Sequence, residues 1–213
     1  MAAAAATSAG TAGAGANATP SVVSALPSQD AQAIFEGAVA DFGAGRLQES
    51  AAAFDRFAEM LPEYAPQLWQ RGIALYYVGR YDDCRAQFES HRTVNPNDVE
   101  NAAWHFLCVA RAESPERARE VLLPVGPDSR APMSEIYAMF RGDLEPEDVI
   151  SAAGQRPSAQ FYAYLYLGLY YEAMGREEPA LQNIDAAAAD RYAGVGGYMH
   201  MVARVHRDAR NRR

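Results

Sequence analysis

The chain has 213 residues, 49% of them hydrophobic and 22% charged, a composition that suits one folded domain, with or without an extension. Its 27 acidic and 19 basic residues give a formal charge of −8, and such a surface repels phosphate backbones, so nucleic acid is not expected as the main partner. No apolar run reaches the roughly 20 residues of a membrane-spanning helix, and all 19 basic residues are Arg, which removes a Walker A loop, a Schiff-base or pyridoxal-phosphate lysine and a Ser–Lys catalytic pair.

Residues 1–28 are rich in Ala, Gly and Ser and carry no charged side chain. Gly10, Gly13, Gly15 and Pro20 interrupt every candidate helix there, so a disordered extension is expected, with a targeting remnant as the alternative. The stretch lacks the basic n-region and compact apolar h-region of a secretory signal. The sequon Asn17-Ala18-Thr19 is short enough to arise by chance.

From Asp30 onward the pattern is helical and repeats. Gly45 and Gly79 stand 34 residues apart, as do Leu47 and Tyr81, Phe54 and Phe88, and Pro62 and Pro96. The two glycines fall between apolar-periodic segments, where a chain leaving one helix needs positive φ before the next. Pro62 and Pro96 are expected to stop the second helix of each unit. Small residues (Ala38, Ser50, Gly72 and Cys84) sit where paired helices would approach closely, and Phe54, Phe57 and Phe88 would fill the gap to the next pair. Regular hairpins are therefore expected near 31–64 and 65–98, within an array covering 29–196.

Residues 99–158 read as two degenerate hairpins. Val99–Ala112 forms the first helix, and Ser114-Pro115 opens a short second one with Glu116 near its positive end. Met133–Phe140 and Glu145–Ala153 form a compressed pair jointed at Gly142. A regular hairpin returns over 159–190, where Tyr164, Leu167, Gly168, Tyr171, Gly175 and Ala180 follow one another in signature order. Residues 197–213 are expected to be a capping helix with a basic tail.

A 34-residue helix–turn–helix period is that of the tetratricopeptide repeat, and with the run from Tyr164 to Ala180 the chain resembles that family. The expected fold is all-α, a right-handed solenoid of about five helix-turn-helix hairpins with a C-terminal capping helix. A narrower resemblance rests on Asn95-Pro96-Asn97-Asp98, the Trp104–Leu107–Ala110 helix, Glu135-Ile136-Tyr137 through Phe140 and Gly142, and Phe161–Gly168 with Tyr170-Tyr171. These look like the NlpI-type adaptor lipoproteins of the Gram-negative envelope, whose helical arrays are non-catalytic scaffolds that dock a protease and present its substrates. No lipobox cysteine stands near the N-terminus, since the first cysteine is Cys84, so lipid anchoring is not implied. A plastid or an envelope location both remain open, and so does the cytoplasm.

The resemblance implies a protein or peptide partner held by the first helix of each hairpin. The positions that would face it are Phe35, Val39 and Phe42, then Trp69, Ile73, Tyr76 and Tyr77, then Leu107 and Arg111, and finally Tyr162, Leu165, Leu169 and Glu172. Aromatic side chains with polar tips carry much of the binding energy at interfaces, yet many of these positions would equally serve as packing between helices. Members that grip a terminal carboxylate use Lys, Asn and Arg where this chain has Phe35, Val39, Trp69 and Ile73, so an apolar peptide or a helix is the better occupant. Arg204, Arg207 and Arg210 form a basic stripe suited either to the helix C-terminus or to an anionic partner. The alternative to an adaptor is a structural subunit permanently buried in a larger complex; the oligomeric state is left open.

No catalytic residue, metal site or cofactor is expected. His91, His105, His200 and His206 lack metal-ligand spacing, and Asp82-Asp83 and Glu177-Glu178 suit the first turns of second helices. Cys84 and Cys108 are too few for a disulfide framework. They are expected as buried free thiols, unless neighbouring helices bring them together.

Overall fold

The computed structural model describes residues 28–210. The extension expected over 1–28 therefore lies outside the described residues except for Ser28, whose hydroxyl accepts from the Ala31 N–H and caps the first helix. Arg212 and Arg213 lie outside them as well.

The described residues contain helices and no strand. In chain order the α-helices are α1 (Gln29–Gly43), α2 (Leu47–Met60), α3 (Trp69–Tyr77), α4 (Tyr81–His91), α5 (Val99–Ala112) and α6 (Pro115–Glu120). There follow α7 (Met133–Arg141), α8 (Pro146–Ala153), α9 (Pro157–Ala173), α10 (Glu177–Ala187) and α11 (Ala193–Arg210). Successive helices pack as adjacent pairs, α1 on α2, α3 on α4, α5 on α6, α7 on α8 and α9 on α10. Each pair leans on the next through α2 on α3, α4 on α5, α5 on α7 and α8 on α9.

Three of the bends are built alike. Gly45, Gly79 and Gly175 take φ of 75°, 78° and 70°, a region where a side chain would be strained. Each is followed by an Arg whose N–H reaches back to a carbonyl in the last turn: Arg46 to Asp41, Arg80 to Leu75 and Arg176 to Tyr171, at 2.8 to 3.0 Å. This six-to-one bond closes the helix end in the Schellman manner and frees the chain to reverse. Asp82 and Asp83 then open α4, and Glu177 and Glu178 open α10, where the positive end of the helix favours them.

The prolines act differently from one another. Pro62 follows α2 closely and starts a 3-10 turn over Pro62–Gln67. Helix α4 already stops at His91, well before Pro96, because the N–H groups of Val94 and Asn95 both turn back onto the His91 carbonyl.

Small residues set the spacing within the pairs. The Ser50 hydroxyl donates to the Ala38 carbonyl at 2.8 Å, holding α2 against α1. A Cβ at Gly168 would stand 2.7 Å from Ile184 Cγ1 and 3.0 Å from the Ile184 backbone nitrogen, so α9 and α10 touch at a distance only glycine permits. Gly168→Ala is expected to cost about 2 kcal/mol, because backbone cannot yield as a flexible side chain does, and urea unfolding measures it.

Two expectations change. Cys84 and Cys108 are not free thiols: a disulfide joins them, with Cα atoms 5.9 Å apart and both residues fully buried. The reason is the α4–α5 seam, which sets the two side chains opposite each other. The final helix also does more than cap the array. Helix α11 breaks at Gly197 (φ 51°, ψ −129°), then packs on α10, on α9 and on α1 from the far end of the sequence.

Candidate functional site: the first-helix face and the helix that covers it

The residues expected to face a partner come from α1, α3, α5 and α9, and α11 lies against several of them. On α1, the Phe42 ring stacks on Tyr198 at 5.7 Å and 23°. One residue on, a Cβ at Gly43 would fall 2.6 Å from Met201 Sδ, so the two helices meet there. On α3, Trp69 stands edge-on to Tyr198 with centroids 5.0 Å apart.

A polar latch follows about two turns further along α11. The Tyr77 hydroxyl lies 2.9 Å from His206 Nδ1, and His206 Nε2 lies 2.5 Å from Glu172 Oε2. Burial pushes the Tyr77 pKa well up, with further contributions from Tyr76 and Glu172, so its hydroxyl keeps its proton. Burial alone would raise the Glu172 pKa too, but the hydrogen bond and charge of His206, then Arg210 and Arg111, outweigh it and hold the carboxyl at about 2. An ionised Glu172 accepts the Nε2 hydrogen of His206, while the Tyr77 hydroxyl and His206 Nδ1 share the second hydrogen bond. Arg210 closes the latch 3.2 Å from Glu172 Oε2, and Arg111 reaches the other oxygen at 3.9 Å.

The remaining positions divide by burial. Ile73, Leu107, Leu165 and Leu169 are at most 1% exposed and form the packing between helices. Tyr76 is buried among the rings of Tyr77, Tyr81 and Trp104. Phe35 turns toward α2, meeting Phe54 and Phe57 at 5.7 and 5.6 Å, and Val39 is partly buried beside the same core. Arg111 lies over the Tyr81 ring and donates to its hydroxyl at 3.2 Å. Tyr162 stacks on Tyr166 below the Arg130 guanidinium. In the basic stripe, Arg204 is exposed, Arg207 pairs with its neighbour Asp208 at 3.0 Å, and Arg210 is spent on Glu172.

Tyr198, Met201 and His206 were absent from the sequence-based set. The spacing of Tyr198, Met201, Val202 and Val205 after the glycines at 194, 196 and 197 is an apolar stripe that signals an inward-facing helix. Among the described residues no group of three or more His, Cys, Asp or Glu is placed to hold a metal ion, and no helix is long and apolar enough to cross a membrane. No protein-family model matches the chain.

Proposed function

We propose that the chain is a non-catalytic adaptor of the tetratricopeptide type, that it binds a protein or peptide partner as a helix on the first-helix face, and that α11 is the resident occupant of that face. The single observation that carries this reading is the way α11 is held. Phe42 and Trp69 grip Tyr198, and Tyr77 and Glu172 grip His206. That combination of ring anchors and a few placed polar groups is how a groove receives an amphipathic helix. The 34-residue spacing and the three equivalent Gly-Arg bends support the repeat assignment. The Cys84–Cys108 bridge favours an oxidising compartment, which agrees with the envelope branch of the resemblance.

An occupied face lowers apparent affinity by the fraction of time it stands open. A labelled peptide spanning residues 193–210 is therefore expected to bind the full chain weakly, and a full chain carrying Tyr198→Ala and His206→Ala about 10-fold more tightly. Fluorescence anisotropy reads the affinity, and hydrogen exchange confirms that α11 has loosened. A loosened α11 with no gain in peptide capture would sink the proposal.

A further inference from the structure

A cavity of about 310 Å³ lies where α3, α4, α5, α9 and the start of α11 meet the segment before α7. That volume is at the lower end of small-molecule sites. Five aromatic rings wall it: Trp69, Phe88, Trp104, Tyr162 and Tyr198.

Its polar groups are unusually unsatisfied. Asn101, 2% exposed, leaves both amide atoms without a hydrogen-bond partner among the described residues, and Trp104, 1% exposed, leaves its indole N–H without one. Tyr198 Oη and His91 Nε2 are in the same condition. The other His91 nitrogen, Nδ1, donates to the Pro66 carbonyl at 2.8 Å, so in the neutral ring Nε2 is an acceptor. Buried polar atoms are normally paired, and these sit together around one space.

The charge of the wall is one-sided. Asp98 and Glu100 of the wall, together with Asp128 from outside the lining, converge on a single guanidinium, that of Arg130, at 2.7, 2.6 and 2.6 Å. Three carboxylates against one cation leave a negative field, and aromatic faces add to it. Tyr166 donates to the second oxygen of Glu100 at 2.7 Å. Burial, and then the neighbouring Asp98, raise the Glu100 pKa against the opposing pull of Arg130 and Tyr166. An anion would be repelled here, and an apolar guest would leave Asn101 and Trp104 unpaired.

We propose that this cavity binds a small organic cation, a guanidinium or primary ammonium on a short stem that also carries a hydrogen-bond acceptor. The cation faces the carboxylates and rings, with His91 Nε2 and Asn101 Oδ1 as further acceptors. The acceptor on the stem meets the Trp104 and Asn101 N–H groups. This inference does not depend on α11 leaving its face.

Calorimetric titration of the full chain with argininamide and with citrullinamide, its urea isostere, both Nα-acetylated throughout so that the guanidinium is the only charge, tests the assignment. Argininamide is expected to bind saturably and about 10-fold more tightly than citrullinamide, because only the former carries the guanidinium charge. Asp98→Asn, which keeps a side chain able to cap α5, and Trp104→Phe, which keeps a ring, are each expected to weaken argininamide several-fold without changing the helical circular dichroism. Should either variant fold poorly, the two ligands on the unaltered chain still decide. Equal binding of the two amides overturns the proposal. So does the absence of saturable argininamide binding, which would leave ordered water as the partner of these polar groups.

Discussion

Replacing Cys84 and Cys108 together by Ala is expected to lower the unfolding free energy by about 3 kcal/mol and Tm by about 10 °C. The bridge spans 24 positions of sequence, and closing a loop of that length removes unfolded-chain entropy worth about 3 kcal/mol in the chain-entropy account. It also ties α4 to α5, the seam between the two regular hairpins and the degenerate middle. Both sulfurs are fully buried in the main core cluster, so reductant should act on the native chain only through opening of that seam. Urea titrations of the unaltered chain with and without reductant, beside the double variant, separate bond from packing. Reduction that leaves the urea midpoint in place, or quantitative labelling of two thiols in the unreduced chain, would show that the bond does not form in solution.

The bends could be read from the amino acids because their requirement is local. Positive φ at Gly45, Gly79 and Gly175 is a demand made by a few successive residues, and the spacing of 34 between Gly45 and Gly79 repeats that demand visibly. The starts of α5 and α6 were legible for the same reason: Asp98 and Ser114 cap their helices with their own side chains. What resisted reading depends on how separate helices are phased against one another. Cys84 and Cys108 look like two small apolar positions until α4 and α5 are placed in register. The cavity draws on Asn101 and Trp104 from an otherwise apolar helix, and on Arg130 from a segment without regular structure. The partner-facing set was a mixture for a similar reason. Repeat position distinguishes the first helix from the second, but the rotation that buries Ile73 and leaves Trp69 half-covered comes from the neighbouring pair. That α11 covers Phe42 and Trp69 was the least legible feature, since an apolar stripe on a last helix suits a cap and a groove occupant equally.

Glu172→Gln is expected to destabilise the chain by about 3 kcal/mol at neutral pH and to loosen α11 first. The carboxyl falls from its ordinary 4.5 to about 2 in the folded chain, and each unit of that depression is worth about 1.4 kcal/mol of preference for the charged, folded form. Because the folded value lies below the unfolded one, the contribution is complete above about pH 4.5 and is lost as pH falls through about 2. The difference between the unaltered chain and the variant should therefore be largest near neutrality, shrink over that window and vanish below it. The charged and titratable groups facing Glu172 are His206 and Arg210 from α11, Arg111 from α5 and Tyr77 from α3. Gln keeps an oxygen for the His206 N–H but not the charge that balances two guanidinium groups, so the loss measures electrostatics more than packing. Hydrogen exchange should show the amides of α11 opening before those of α4 or α9, because this latch and the Tyr198 contacts fasten α11 to α9, α3 and α1. A stability difference that persists undiminished to pH 2 would assign the effect to hydrogen-bond geometry and remove charge from the latch. Uniform opening of all helices would instead make α11 an inseparable part of the core, and a partner could then reach the first-helix face only by unfolding the whole array.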